Sequence, residues 1–265
     1  MTDLPYYHVD AFADRPFTGN QAAVMPLDAW LDDSVLQAIG EENAFAETAF
    51  IVPDATGEAD YELRWFTPAV EIRLCGHATL ASGHIILSQN PNMDRVTFRT
   101  RKAGILEVKR EGSGYAVALP AIPTDPVELP AMAAAMGGKP LAIRRNSDHY
   151  NVFRYATANE VLALKPDMKA LAAFGDDSFT ATAPGKDTDI VSRVFVPGAG
   201  VDEDSVTGSA HAVLTPYWAA ELGRDTFTAY QASARGGYLR CRLDGDRAWL
   251  SGQCFTVVIG TFSLT

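Results

Sequence analysis

Cys75-Gly76-His77-Ala78-Thr79-Leu80-Ala81 runs straight into an apolar stretch that continues through Ile86. A helix that is apolar on most sides has no solvent face, so this segment predicts a helix enclosed by a sheet. A second segment, Val206-Thr207-Gly208-Ser209-Ala210-His211-Ala212-Val213, repeats the style and continues through Tyr217 and Trp218. Each half of the chain thus carries a loop, a glycine, a His or Ser, an alanine and then an apolar helix. The recurrence points to two related lobes, each a sheet wrapped around its own helix.

Around these helices the pattern is one of short strands. Tyr6 to Ala13, Ala22 to Met25 and Thr48 to Val52 read as extended, with Pro16-Phe17-Thr18-Gly19-Asn20 as a turn. Tyr61, Leu63 and Trp65 alternate with Glu62 and Arg64, and Val70, Ile72 and Leu74 alternate with Glu71 and Arg73. Both stretches show the period of two expected of half-buried strands. Asp32 or Asp33 is placed to cap a helix with Val35, Leu36 and Ile39 on its core face, stopping near Asn43. Further strands fall near 95–100, 104–110, 115–119, 150–155 and 190–196. The proline-rich segment from Pro120 to Pro130 reads as a linker. The expected class is α+β with mostly antiparallel sheets. A first lobe spans 1–120 and a second 121–265, with the final strand free to cross back.

Composition narrows the function. The 265 residues are 47% hydrophobic and 21% charged, enough for one large domain or two modest lobes. The net charge is -11 with acidic residues spread along the chain, and no basic patch offers a driving force for binding nucleic acid. Apolar runs fall far short of the ~20 residues that span a bilayer, so no membrane association is expected. Met1-Thr2-Asp3-Leu4-Pro5 lacks the basic and apolar regions of a signal peptide. Cys75, Cys241 and Cys254 are odd in number and widely spaced, which argues against a disulfide framework and for a reducing cytoplasm.

Gly76-His77 and Gly208-Ser209 stand out as chemistry-bearing positions. A glycine opening a helix leaves backbone N–H groups accessible where the dipole is positive, suiting a carboxylate, although it also simply permits a tight turn into the helix. Glu47 lies at the start of a strand on one face with Ala49 and Ile51. A carboxylate among apolar neighbours suits general acid/base work, and position alone does not separate that from an exposed strand edge. Asp204 either caps a turn or orients substrate. Other arrangements fail. Ser209 and His211 are two apart and diverge on a helix. Cys75, His77 and His84 lack the clustered spacing of a zinc site. Gly112-Ser113-Gly114 reads as a hairpin turn and not as a dinucleotide fingerprint.

Taken in order, these motifs are similar to those of the PhzF-like phenazine-biosynthesis family. The resemblance rests on Val9-Asp10-Ala11-Phe12, Pro16 to Asn20, Glu47-Thr48, Leu74 to Thr79, Arg193 to Pro197, Asp204 to Ala210, Gln231-Ala232-Ser233 and Arg235-Gly236-Gly237. It implies a diaminopimelate-epimerase-like fold of two pseudo-symmetric lobes with the active site in the cleft between them, and a homodimer. It implies Glu47 as acid/base, His77 and Asp204 as catalytic partners, and Asn20, Gly76, Gly208 and Ser209 as substrate contacts. The implied activity is a cofactor-independent proton shift on a small, carboxylate-bearing substrate, without metal, flavin or nicotinamide. Ser205 stands where the family usually has proline. Two-base epimerases of this fold place thiols at two facing positions; here Cys75 matches one, but Thr207 stands at the other. A hydroxyl is a far weaker base than a thiolate, so the pair is broken and the chemistry falls to Glu47. The alternatives are a two-base epimerase of the same fold and a non-catalytic protein that binds small acids.

Overall fold

A computed structural model describes residues 2–264. The chain forms two compact units, one of Met1–Leu119 with Ser251–Thr265 and one of Pro120–Leu250. The first holds β1 (Thr2–Ala13), β2 (Asn20–Pro26), α1 (Asp33–Asn43), β3 (Glu47–Pro53), β4 (Tyr61–Phe66), β5 (Glu71–Ile72), α2 (Gly76–Gln89), β6 (Arg95–Thr100), β7 (Ile105–Glu111) and β8 (Gly114–Pro120). The second holds β9 (Asp125–Pro126), α3 (Pro130–Met136), β10 (Ala142–Arg145), β11 (Tyr150–Arg154), α4 (Ala158–Ala163), α5 (Met168–Ala172) and β12 (Ser178–Pro184). It continues with β13 (Ile190–Val196), β14 (Val201–Asp204), α6 (Gly208–Leu222), β15 (Thr226–Gln231) and β16 (Gly237–Asp244). The last strand, β17 (Arg247–Leu264), starts in the second unit and ends in the first.

In the first unit the strands close on themselves. The ring runs β1, β2, β3, β4, β6, β7, β8, β17 and back to β1. This is an eight-stranded barrel, where the sequence reading expected a sheet lobe. Closure removes the exposed strand edges that an open sheet would leave. Helix α2 packs against β1, β2, β3, β6 and β7 and is buried from Gly76 to Leu87 apart from a partly exposed His84. At Gly83 the helix lies so close to β7 that a Cβ there would meet Val108 Cγ1 at 2.3 Å. Outside the barrel, α1 lays Leu36 and Ile39 on Leu4, Met25, Phe50, Val52 and Phe66. Phe50 and Val52 thus face outward, so Ala49, Ile51 and Glu47 face inward, toward α2.

Two strand expectations change. Arg64 is 2% exposed and is not a solvent-face residue. Its guanidinium bonds Glu71 through Nε and Nη2 and Asp33 through Nη1, and it lies over the rings of Trp30 and Phe66. The stretch from Val70 to Leu74 pairs only at Glu71–Ile72, and Val70 is exposed.

The second unit is a layered sheet. Pairing runs β9, β10, β11, β12, β13, β15, β16, with β14 also on β13. On one face, Phe179, Ala181 and Ala183 of β12 pack with Met132, Met136, Val161 and Leu171 from α3, α4 and α5. On the other, Thr182 Oγ1 accepts a bond from Trp218 Nε1 of α6 at 3.0 Å. This sheet therefore carries helices on both faces, which is why β12 is buried at nearly every position and shows no alternation. Antiparallel pairs predominate, as expected. Among the described residues, the parallel pairs include β2 with β3, β4 with β6, β11 with β12, and β13 with β15. Each parallel pair is spanned by at least one helix, because strands running the same way need a crossover. Among the described residues no helix is long and apolar enough to cross a membrane.

Candidate active site

The N-terminus of α2 and the start of β3 bring three predicted residues together. Glu47 Oε2 lies 3.0 Å from His77 Nε2, and Asn20 Nδ2 lies 3.2 Å from His77 Nδ1. Asn20 and His77 are both buried, while the Glu47 side chain is 15% exposed. The parallel register of β2 and β3 sets Ala22 against Glu47, which places Asn20 and Glu47 on neighbouring strands beside the helix start. The Glu47 oxygen is close enough for an ion pair, yet the direction of the ring N–H misses it. Oε2 is thus buried without an aligned donor.

Cys75 completes the cluster. Its sulfur lies 3.5 Å from His77 Nδ1, and one ligand-type atom from each of Glu47, Cys75 and His77 lies within 4.8 Å of the others. Burial, reinforced by the Glu47 carboxylate and partly offset by His77, pushes the Cys75 thiol up to about 11. Burial works against charge on His77 as well. The neighbouring Cys75 sulfur and the Glu47 carboxylate outweigh it and hold the imidazole well above its usual value. With the thiol protonated at neutral pH, the Glu47 carboxylate is the anion that sustains an imidazolium. Asn20 faces the ring with Nδ2, which suits neutral His77; an imidazolium requires the amide turned to present Oδ1.

Gly76, His77 and Ala78 form the first turn of α2, with Cys75 as an extended N-cap that makes no side-chain capping bond and with no acidic residue in the turn. Such N–H groups suit an anion. In the second unit α6 starts in the same way, with Thr207 as an extended N-cap followed by Gly208 and Ser209. Here Asp204, Thr207 and Gln231 form one network. Thr207 Oγ1 donates to Asp204 Oδ2 at 2.5 Å, Thr207 N donates to Gln231 Oε1 at 2.8 Å, and Gln231 Nε2 donates to Asp204 O at 2.8 Å. His211 donates from Nδ1 to Thr207 O, which leaves Nε2 to accept from Ser192 Oγ at 3.4 Å. Burial lowers His211 to about 4, so it is neutral.

The model of the phenazine biosynthesis-like protein family, PhzC/PhzF, matches residues 9–260. The chain belongs to the PhzC/PhzF family. A relative from Pseudomonas aeruginosa, named an uncharacterized isomerase, is 43% identical over 263 residues, covering 99% of this chain and all of that one. The crystal structure of a PhzF-family protein from Enterococcus faecalis superposes with a TM-score of 0.91 at 38% identity, covering 99% of this chain and 100% of its own. At the level of fold alone, a hydroxyproline epimerase from Agrobacterium vitis aligns with a TM-score of 0.66 at 10% identity, covering 98% and 92%.

Within this PhzF-family chain, Glu47, Asn20, Gly76 and His77 lie together in the first unit. Asp204 and Gly208 flank Thr207 in the second, and Ser209 is the second residue of α6. Two contributors escaped the sequence reading. In the sequence Cys75 reads as one half of a broken thiol pair, and its grouping with His77 and His84 is set aside as a zinc site. The structure instead pairs Cys75 with His77 and Glu47, while His84 Nε2 meets Thr256 Oγ1 at 2.8 Å. Gln231 was noted only as a family landmark, and its amide ties Asp204 to Thr207. Gln231 is fully buried at the end of β15, and no local pattern in the sequence marks it.

Proposed function

We propose that this protein is a cofactor-independent isomerase in which Glu47 shifts a proton between two carbons of a small, carboxylate-bearing substrate. The observation that carries the reading is the buried Glu47 Oε2, 3.0 Å from His77 Nε2 and without an aligned hydrogen-bond donor. An acid/base must be free to take up and release a proton, and an oxygen already saturated with donors is a poor one.

In this reading the substrate carboxylate rests on the first-turn N–H groups of α2 near Gly76 and His77. Glu47 removes a proton from an activated carbon, becomes neutral, and returns the proton elsewhere on the same face. The bond that breaks and the bond that forms are both C–H, and the double bond migrates between them. His77, held toward its charged form, stabilises the Glu47 carboxylate before and after transfer. The family resemblance assigns Asp204, Gly208 and Ser209 further substrate contacts, and homodimerisation. The two-base epimerase reading loses support because the Thr207 hydroxyl donates to Asp204 and also accepts from Gln231 Nε2 at 3.2 Å, which leaves it no role as a base.

The test begins with a thermal-shift screen of small cyclic and amino carboxylates, followed by turnover of the hits in deuterated water. Glu47→Gln keeps the shape of the side chain but cannot ionise. Turnover and solvent-deuterium incorporation should fall by at least ~10²-fold, with little change in melting temperature. Near-normal turnover in Glu47→Gln would remove Glu47 from the mechanism.

A further inference from the structure

The acceptor at Glu47 has a counterpart of opposite polarity in the barrel wall. Trp65 is 2% exposed, and its indole N–H is buried with no acceptor among the described residues. Buried donors are nearly always paired with protein, water or ligand, so an orphan of this kind calls for an occupant. Two other tryptophans show the usual arrangement: Trp30 Nε1 donates to Glu62 Oε2 at 3.1 Å and Trp218 Nε1 to Thr182 Oγ1 at 3.0 Å.

Strand register brings the donor and the acceptor onto one face. Ala49 of β3 stands opposite Trp65 of β4, so Trp65 points inward with Ala49 and Glu47. Glu47 lies two residues before Ala49 and is therefore the diagonal neighbour of Trp65. Such neighbours stand ~7–8 Å apart, a gap that an aromatic side chain can reach across. Yet neither the indole N–H nor Glu47 Oε2 has an aligned partner, and they do not bond each other. We infer that Trp65 is a substrate-binding residue whose N–H donates to an uncharged oxygen of the substrate, a carbonyl or a hydroxyl, beside the carbon that Glu47 serves. The position of that carbon rests on Glu47 as the acid/base, whereas the N–H contact stands without it.

Chemistry selects the kind of oxygen. The indole is a neutral donor, and a buried anion held by a neutral donor alone is poorly compensated, so a second carboxylate or a phosphate is disfavoured there. In the isomerase reading the amides of Gly76 and His77 already take the substrate carboxylate, at the start of α2 and not on β4. The acceptor for Trp65 is then a further group, and the site selects acids that carry one. An acid without it leaves the N–H orphaned in the complex, at the cost of an unmade buried hydrogen bond. The Glu47 side chain, 15% exposed, marks the side from which a ligand reaches the pair.

The experiment follows the indole N–H signals of the four tryptophans in the whole ¹⁵N-labelled protein, with the Trp65 signal assigned through its backbone. The probes are cyclohexanecarboxylate, which carries a carboxylate alone, and its 3- and 4-oxo and 3- and 4-hydroxy derivatives. At least one derivative should move the Trp65 signal downfield, as a new hydrogen bond does, while the parent acid leaves it in place. That derivative should bind roughly tenfold more weakly to Trp65→Phe, the worth of one neutral hydrogen bond, with the affinity of the parent acid unchanged within about twofold. The contact is overturned if every derivative leaves the signal in place, if the parent acid moves it as far, or if a crystal structure of the complex shows a water on Nε1. The signal is read on the unaltered protein, so a folding defect in Trp65→Phe does not blunt the test. No turnover is needed either. A Trp65 shift alongside persistent turnover by Glu47→Gln keeps the contact and overturns the acid/base, whereas a fixed signal with turnover lost in Glu47→Gln does the reverse.

Discussion

At the scale of single residues, Glu47 and His77 were reached through the family resemblance, since position alone left Glu47 indistinguishable from an exposed strand edge. What stayed hidden was the environment of each group. Nothing in Cys75-x-His77 shows that the sulfur turns back to the ring of its own helix start, 3.5 Å from Nδ1. Nothing in Gln231 shows that it bridges Asp204 and Thr207 across the chain. The environment of Cys75 makes a direct prediction. With its thiol pushed up to about 11 and 5% of its surface exposed, Cys75 should alkylate with iodoacetamide far more slowly than a free thiol at pH 7.5. Because the Glu47 carboxylate is among the causes of that rise and His77 opposes it, Glu47→Gln should speed the reaction and His77→Asn should slow it. Peptide mass spectrometry over a time course reads all three. Equal rates would mean that the carboxylate does not act on the sulfur.

Whole elements were read well where one period dominates and badly where burial comes from two sides. β1, β2, β3, β6, β7 and β8 fall close to their expected ranges, and α2 and α6 begin at their glycines. β12 was missed because helices cover both its faces, which erases the alternation that marks a strand. Arg64 was assigned to solvent because its charge is neutralised by Glu71 and Asp33, partners distant in sequence. Gly83 carries the packing of α2 on the barrel wall, since an added Cβ meets Val108 Cβ at 2.5 Å as well as Cγ1. Gly83→Val should therefore destabilise the protein by about 3 kcal/mol, the upper end of overpacking costs, despite removing a flexible glycine from a helix. Urea denaturation against the unaltered chain measures this. A loss below about 1 kcal/mol would mean that β7 yields easily at that point.

For the molecule as a whole, two units built around glycine-led helices were legible from the recurrence of the motif, but barrel closure was not. Closure depends on β17 pairing with both β1 and β8, strands far apart in sequence whose contacts leave no local period. Burial of one histidine in each unit shapes how the chain responds to acid. His84 and His211 are both pushed down to about 4, first by burial, with Arg110 adding to the effect at His84. Each is neutral when folded, while in the unfolded chain it takes up a proton near pH 6.5. Between about pH 6.5 and 4 the unfolded state binds more protons, so stability falls as pH falls through that window, and the loss is complete below it. A difference of that size corresponds to roughly 3 kcal/mol per histidine. His77 has the opposite sign. Its raised folded value adds stability that is fully present below the unfolded value and is lost as pH rises through the folded one. Below pH 6.5 the His77 contribution is therefore constant, and the two lowered histidines set the slope, so net stability should drop between pH 6.5 and 4. Denaturation curves at pH 7, 5.5 and 4.5 should show the fall. His211→Asn keeps a donor toward Thr207 O, and His84→Gln keeps a polar group toward Thr256, and neither replacement titrates. The double variant should be nearly flat across the window, and an unchanged slope would mean that the acid sensitivity arises elsewhere than at these two rings.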